Sequence, residues 1–175
     1  MADRDALYFA YGSNLNVEDW ERWCASHGHR MGMLRAVGKA SLPDHELAFT
    51  RYSPARECGV LDARPRVGSV VRGVLFEVSD AGWEALDHKE GHPTGYRRTP
   101  CTLIGPDGEE VSATTYTVRE PVEHVAPSDA YLELVGAGYR THGLDTRELA
   151  DAARGGVFPM RSEEAGRRRD RQQGG

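Results

Sequence analysis

Two short segments carry residue types whose spacing could do chemistry. The first is Gly12-Ser13-Asn14, entered from the apolar run 8–11 and followed by a helix start at Asn16 with Glu18 and Asp19 in its first turn. Strand, tight polar turn and helix together leave backbone N–H groups without partners of their own, and an anion can accept from them. The segment has neither dinucleotide glycine spacing nor the Gly-Lys-Ser/Thr ending of a phosphate loop, so a carboxylate suits it better than a triphosphate. The same residues are also ordinary turn formers, and a turn that binds nothing is the alternative.

The second is Glu90, within Leu86-Asp87-His88-Lys89-Glu90-Gly91-His92-Pro93-Thr94-Gly95-Tyr96. It closes a helix, where the macrodipole disfavours an anion and raises its pKa; partial burial would raise it further. A proton-transfer carboxylate is tuned in this way. Two other readings stand beside it. Glu90 is a solvated acid partnered by Lys89 or Arg97, or it joins His88 and His92 in a metal site. The metal pattern is poor, because the acid does not directly follow the first histidine and Gly91 and Pro93 interrupt the helix. Ser13 as a nucleophile lacks an elbow context and an assignable His and Asp. Cys24, Cys58 and Cys101 are too widely spaced for a metal pair or a disulfide framework, and Cys24 and Cys101 read as small core residues.

The elements that must position these residues follow from periodicity. A strand at 8–11 leads into the turn, and a helix spans 17–26 with Trp20, Trp23 and Cys24 on one face. Strands are expected at 33–40, 46–52, 58–63 (a short edge) and 69–78 (a central strand). Ser79 caps a helix over 80–89 that Glu90-Gly91 and Pro93 end. Strands at 96–104 and 111–118 flank a Pro106-Asp107-Gly108 turn. Helices follow from Pro127-Ser128-Asp129 to about Gly138 and from Asp145 to Ala153. The fold class is α+β: a mostly antiparallel, curved sheet, either open or closing into a barrel, with flanking helices.

A chain of 175 residues suits one domain, read as 1–156, with 157–175 as a polar, arginine-rich, disordered tail. A net charge of −5 without a basic stripe in the body argues against nucleic acid as a partner. No apolar run reaches membrane-spanning length, and the polar start Met1-Ala2-Asp3-Arg4-Asp5 is unlike a secretory signal, so a cytoplasmic protein with no membrane partner is expected. Nothing in the sequence fixes an oligomeric state.

Taken together, the chain resembles the gamma-glutamylcyclotransferase (AIG2-like) family over roughly residues 7–145. The resemblance is carried by Tyr11-Gly12-Ser13-Asn14-Leu15, then Gly73-Val74-Leu75-Phe76, Leu86-Asp87, Glu90-Gly91 and Gly95-Tyr96, and further on by Pro127-Ser128, Tyr131, Gly138 and Gly143-Leu144. It implies a small mixed barrel and a reaction that turns a gamma-glutamyl amide into 5-oxoproline and a free amine. It makes Tyr11, Gly12, Ser13, Asn14 and Leu15 the substrate loop, Glu90 the acid/base, and Tyr96 and Tyr131 cavity tyrosines.

Such chemistry needs no cofactor. The substrate brings its own nucleophile, the alpha-amine, and its own electrophile, the gamma-carbonyl; orientation alone can supply about 7–11 kcal/mol of the barrier. One carboxylate can take a proton from the attacking ammonium and give it to the departing amine. An ammonium titrating near ~8 is a poor match for a carboxylate near ~4.3, so a raised pKa is needed. The turn amides would hold the alpha-carboxylate or the oxyanion. A binding module for a small acidic ligand, and an amide-cleaving or acyl-transfer enzyme of a biosynthetic pathway, are the alternatives. Arg51, Arg56, Arg64 and Arg66 either shape an acidic leaving-group side or are solvated.

Overall fold

The computed structural model describes residues 7–155. The expected tail, 157–175, lies outside the described residues. Five strands close into a barrel in the order β1-β3-β2-β4-β5: β1 (Leu7–Ala10), β2 (Leu34–Ser53), β3 (Cys58–Val78), β4 (Tyr96–Ile104) and β5 (Glu110–Val118). Every pairing is antiparallel except that of β1 with β5, which is parallel. Four helices flank it: α1 (Val17–Ser26), α2 (Asp80–Glu90), α3 (Asp129–Thr141) and α4 (Arg147–Ala153). This is the mixed barrel with helices outside it that the sequence implies.

The strand count corrects the periodicity reading. Segments 33–40 and 46–52 are one continuous strand, β2, and 58–63 and 69–78 are both parts of β3. The two pair from Leu34↔Val78 to Ser53↔Cys58, with register shifts at Ala36/Gly38, Pro43/His45 and Phe49/Arg51. Each shift flips which side chains face the core, so apolar periodicity breaks although the hydrogen-bonded ladder continues. Segment 58–63 is not an edge: Val60, Leu61 and Ala63 are buried. Helix α3 also runs one turn past Gly138, to Thr141.

The core fills the barrel with Phe9, Phe49, Val71, Val74, Leu75 and Leu103, and continues outward through Trp20, Leu86, Val135 and Tyr139 to the helices. Asn16, Ser79 and Ser128 cap α1, α2 and α3, each accepting from a backbone N–H three residues on. Among the described residues no helix is long and apolar enough to cross a membrane.

Candidate active site

Between β1 and α1 the chain makes a single 3-10 turn over Ser13–Leu15. Leu15 N–H donates to Gly12 O (3.1 Å) and Asn16 N–H to Ser13 O (3.0 Å), so the N–H groups of Ser13 and Asn14 head the turn. Helix α3 holds this turn from behind. Tyr139 OH donates to Tyr11 O (2.7 Å) and Asn16 Nδ2 to Leu134 O (3.0 Å). Gly138 lies so close that a Cβ there would stand 2.7 Å from Asn16 N and from Leu15 C. Tyr11 OH donates to Tyr116 O (2.6 Å), fastening the turn's other flank to β5. Leu15 is fully buried and serves as an anchor in the core.

Glu90 is delivered by the end of α2. The helix buries Gly82, Ala85 and Leu86, and its Asp87 takes a two-pronged bond from Arg98 (2.8 Å each) and one from Tyr116 OH (2.6 Å). These fix the last turn of α2 against β4 and β5. Gly91, at φ 64°, then reverses the chain: its N–H donates to His88 O (3.3 Å) and that of His92 to Asp87 O (2.9 Å), a Schellman closure that favours glycine.

The two segments meet. Asn14 Nδ2 donates to Glu90 Oε1 (2.8 Å) and to Tyr8 OH (3.0 Å). Ser13, Glu90, Tyr96 and Tyr131 line a cleft of about 390 Å³, within the usual range for small-molecule sites. The same four residues border an inner pocket of about 30 Å³, closed by Tyr8, Tyr11, Gly12, Asn14 and Leu61. The tyrosines differ in what they can still offer. Tyr96 OH donates to Leu61 O (2.5 Å) and Tyr11 OH to Tyr116 O, so both hydroxyl protons are committed. Tyr131 OH accepts from Leu61 N–H (3.4 Å) and Tyr8 OH accepts from Asn14, which leaves their own protons available to a ligand.

Burial raises the Glu90 carboxyl above the usual carboxylate range; Lys89, the Asn14 bond, Arg51 and Arg56 pull it partway back. Burial, which the sequence led one to expect beside the helix-end field, is the largest cause. Neither solvated-acid partner touches it: Lys89 reaches Asn14 and Asp19 instead, and Arg97 is exposed on β4. His88 contacts His29, and His92 accepts from Arg98 N–H. The Ser13 hydroxyl has no hydrogen-bond partner among the described residues. Burial pushes the Cys24 thiol up and that of Cys101 to about 11, which keeps both protonated.

Sequence reasoning missed three contributors. Tyr8 read as plain strand apolarity. Asp19 read as a helix-start acid, yet it is buried and takes bonds from Arg56 (3.1 and 2.6 Å) and Lys89 (3.3 Å). Its signal was an acid within one turn of the loop. Asp62 is buried inside the barrel, accepting from Thr50 Oγ1 and Val118 N–H (2.9 Å each). Of the four arginines weighed for the leaving-group side, Arg51 and Arg56 line the cleft, whereas Arg64 and Arg66 pair with Glu46.

A family model described as "Gamma-glutamyl cyclotransferase, AIG2-like" matches residues 8–133. The chain is 28% identical to the gamma-glutamylcyclotransferase of Bos taurus over 143 residues, covering 79% of this chain and 72% of that protein. It is 27% identical over the same shares to the Homo sapiens protein of that name. A solved structure titled "Gamma-glutamyl cyclotransferase" superposes with a TM-score of 0.69 at 24% identity, covering 87% of both chains. That likeness shows a shared fold.

Proposed function

The chain belongs to the gamma-glutamyl cyclotransferase, AIG2-like family, and from that premise we propose that it is an enzyme converting a gamma-glutamyl amide into 5-oxoproline and a free amine, with Glu90 as the proton shuttle. The observation that carries this reading is the Asn14–Glu90 contact, which puts a carboxyl of raised pKa beside the Ser13–Asn14 turn in one small-molecule cleft.

Substrate would bind folded, with its gamma-carbonyl near Glu90. Glu90 takes a proton from the alpha-ammonium; the freed amine attacks the gamma-carbon and forms the ring C–N bond. Collapse breaks the C–N bond to the leaving amine, whose nitrogen takes the proton back from Glu90; Glu90 then takes the second proton from the ring nitrogen and passes it to the same amine, which departs as an ammonium. Atoms balance without water or a cofactor. The N–H groups of Ser13 and Asn14 and the free hydroxyl protons of Tyr8 and Tyr131 are the donors for substrate anionic oxygens. Tyr96 and Tyr11, their hydroxyls spent on backbone, are rigid walls that keep the glutamyl chain bent.

Arg51 lines the cleft and pairs with no carboxylate among the described residues; its guanidinium stands 5.8 Å from the Tyr96 ring centre. This favours a leaving amine that carries a carboxylate. Gamma-glutamyl-alanine is therefore expected to be turned over faster than a gamma-glutamyl alkylamide, and Arg51→Ala to narrow that difference; equal rates would remove Arg51 from selection.

Ring closure and hydrolysis are separated by running the reaction in 18O-labelled water. Cyclisation yields 5-oxoproline free of label. Labelled glutamate as the product would instead make the protein an amidase.

A further inference from the structure

Lys89 and Asp19 have no task in the scheme above, yet their side chains are only 7% and 9% exposed. Lys89 Nζ donates to Asn14 Oδ1 (2.7 Å) and to Asp19 Oδ2 (3.3 Å), and Arg56 grips both oxygens of the same aspartate. An asparagine amide has a donor end and an acceptor end. An ammonium can only donate, so the carbonyl end of Asn14 must face Lys89 and the NH2 end must face Tyr8 and Glu90 Oε1. The reversed amide would set N–H against N–H. The two oxygens of Glu90 are thereby made unequal. Oε1 is occupied by Asn14, whereas Oε2 has no protein partner among the described residues and is not a sealed, unpartnered atom.

We propose that Lys89, braced by Asp19, is a positioning residue: it fixes the sense of the Asn14 amide and so assigns the proton relay to Glu90 Oε2. The proposal rests on the cyclotransferase reading. The charged and titratable groups that face Glu90 come from every side. They are Lys89 on α2, Arg51 on β2, Arg56 after it, Tyr8 on β1, Tyr11 beyond it, Tyr96 on β4 and Tyr131 on α3, with Asp19 on α1 behind Lys89. Of the cations, Lys89 pulls hardest against the upward push of burial, ahead of Arg51 and Arg56. Removing its charge lets Glu90 rise further. Turnover needs Glu90 ionised at the start, so the acidic limb of kcat/KM must then move to higher pH.

The test compares Lys89→Met, Lys89→Arg and Asp19→Asn with the unmodified enzyme. One readout is the pH profile of 5-oxoproline release. The other is infrared titration of the Glu90 carboxyl band, taken as the difference from each protein's Glu90→Gln counterpart. Lys89→Met is expected to lose up to ~10²-fold in turnover through misplacement, with the loss growing as pH falls and the carboxyl band titrating at higher pH. Lys89→Arg, which keeps a donor-only cation, recovers part of both. Asp19→Asn loses turnover with a smaller displacement of the limb, and decides the matter should Lys89→Met not fold. An unmoved limb and band in Lys89→Met, or a loss equal at every pH, would mean packing alone and overturn the proposal. If the unmodified enzyme releases no 5-oxoproline, the cyclotransferase reading fails, while the infrared titration still decides whether Lys89 governs Glu90.

Discussion

A carboxyl whose pKa is raised by desolvation is a burden on the fold at neutral pH, because it must either ionise in a poorly hydrated place or hold a proton. Glu90, half-buried in the cleft wall, is such a group. Glu90→Gln keeps an oxygen for Asn14 to donate to and removes the charge. It is therefore expected to raise Tm by about 2–4 °C, the shift that goes with a modest stabilisation in a chain of this size; calorimetry at neutral pH checks this, and a large drop would mean that Glu90 supports the fold. The residue types at this site were legible, since a glutamate at a helix end and a Gly-Ser-Asn turn are local signals. Their partners were not. Asp19 and Lys89 are joined across 70 sequence positions, and nothing in the local spacing of either announces the other.

At the level of elements, the Ser13–Leu15 turn is held by α3. Two hydrogen bonds and one close approach fix it: Tyr139 to Tyr11 O, Asn16 to Leu134 O, and Gly138 against the backbone of Leu15 and Asn16. A methyl group at 138 would meet backbone atoms, which cannot swing aside. Gly138→Ala is expected to destabilise the protein by about 1–3 kcal/mol in a urea titration, despite the better helix propensity of alanine. It should also raise KM by displacing Ser13 and Asn14. Unchanged stability and KM would show that α3 does not position the turn. Capping residues made α1, α2 and α3 readable in advance. The strands were harder, because the register shifts in β2 and β3 interrupt the two-residue alternation on which strand reading depends.

Across the whole molecule, the barrel closes where β1 pairs with β5, and Asp62 adds a link across it, joining Thr50 on β2 to Val118 on β5 from its place on β3. Asp62→Ala would strand a buried hydroxyl and a buried N–H and is expected to cost about 2–4 kcal/mol, with Asp62→Asn milder; a neutral effect would mean that the cross-barrel link does not support the fold. The acids also set the pH dependence of stability. Burial raises Asp62 and Glu90, so their contribution is complete below the ordinary carboxylate pKa near ~4 and is lost as pH rises through their folded values. Asp19 is pushed up by burial, but its bonds to Arg56 and Lys89 outweigh that and leave it lowered. Its contribution is present above ~4 and is lost as pH falls through its folded value. Tm is therefore expected to increase on mild acidification from neutrality and to fall again below the ordinary carboxylate range; a maximum at alkaline pH would contradict these assignments. The curved, helix-flanked sheet was legible because apolar strands and caps recur along the chain and the family resemblance implied the barrel, whereas the buried acid that links its strands was not.

The role of Glu90 is decided by 5-oxoproline release from a gamma-glutamyl dipeptide, followed by mass spectrometry for the unmodified enzyme and for Glu90→Gln. The expected result is product from the first and a loss of about 10²–10⁴-fold in the second, with folding intact. Product formation by a folded Glu90→Gln protein at close to the unmodified rate would contradict the assignment of Glu90 as the proton shuttle.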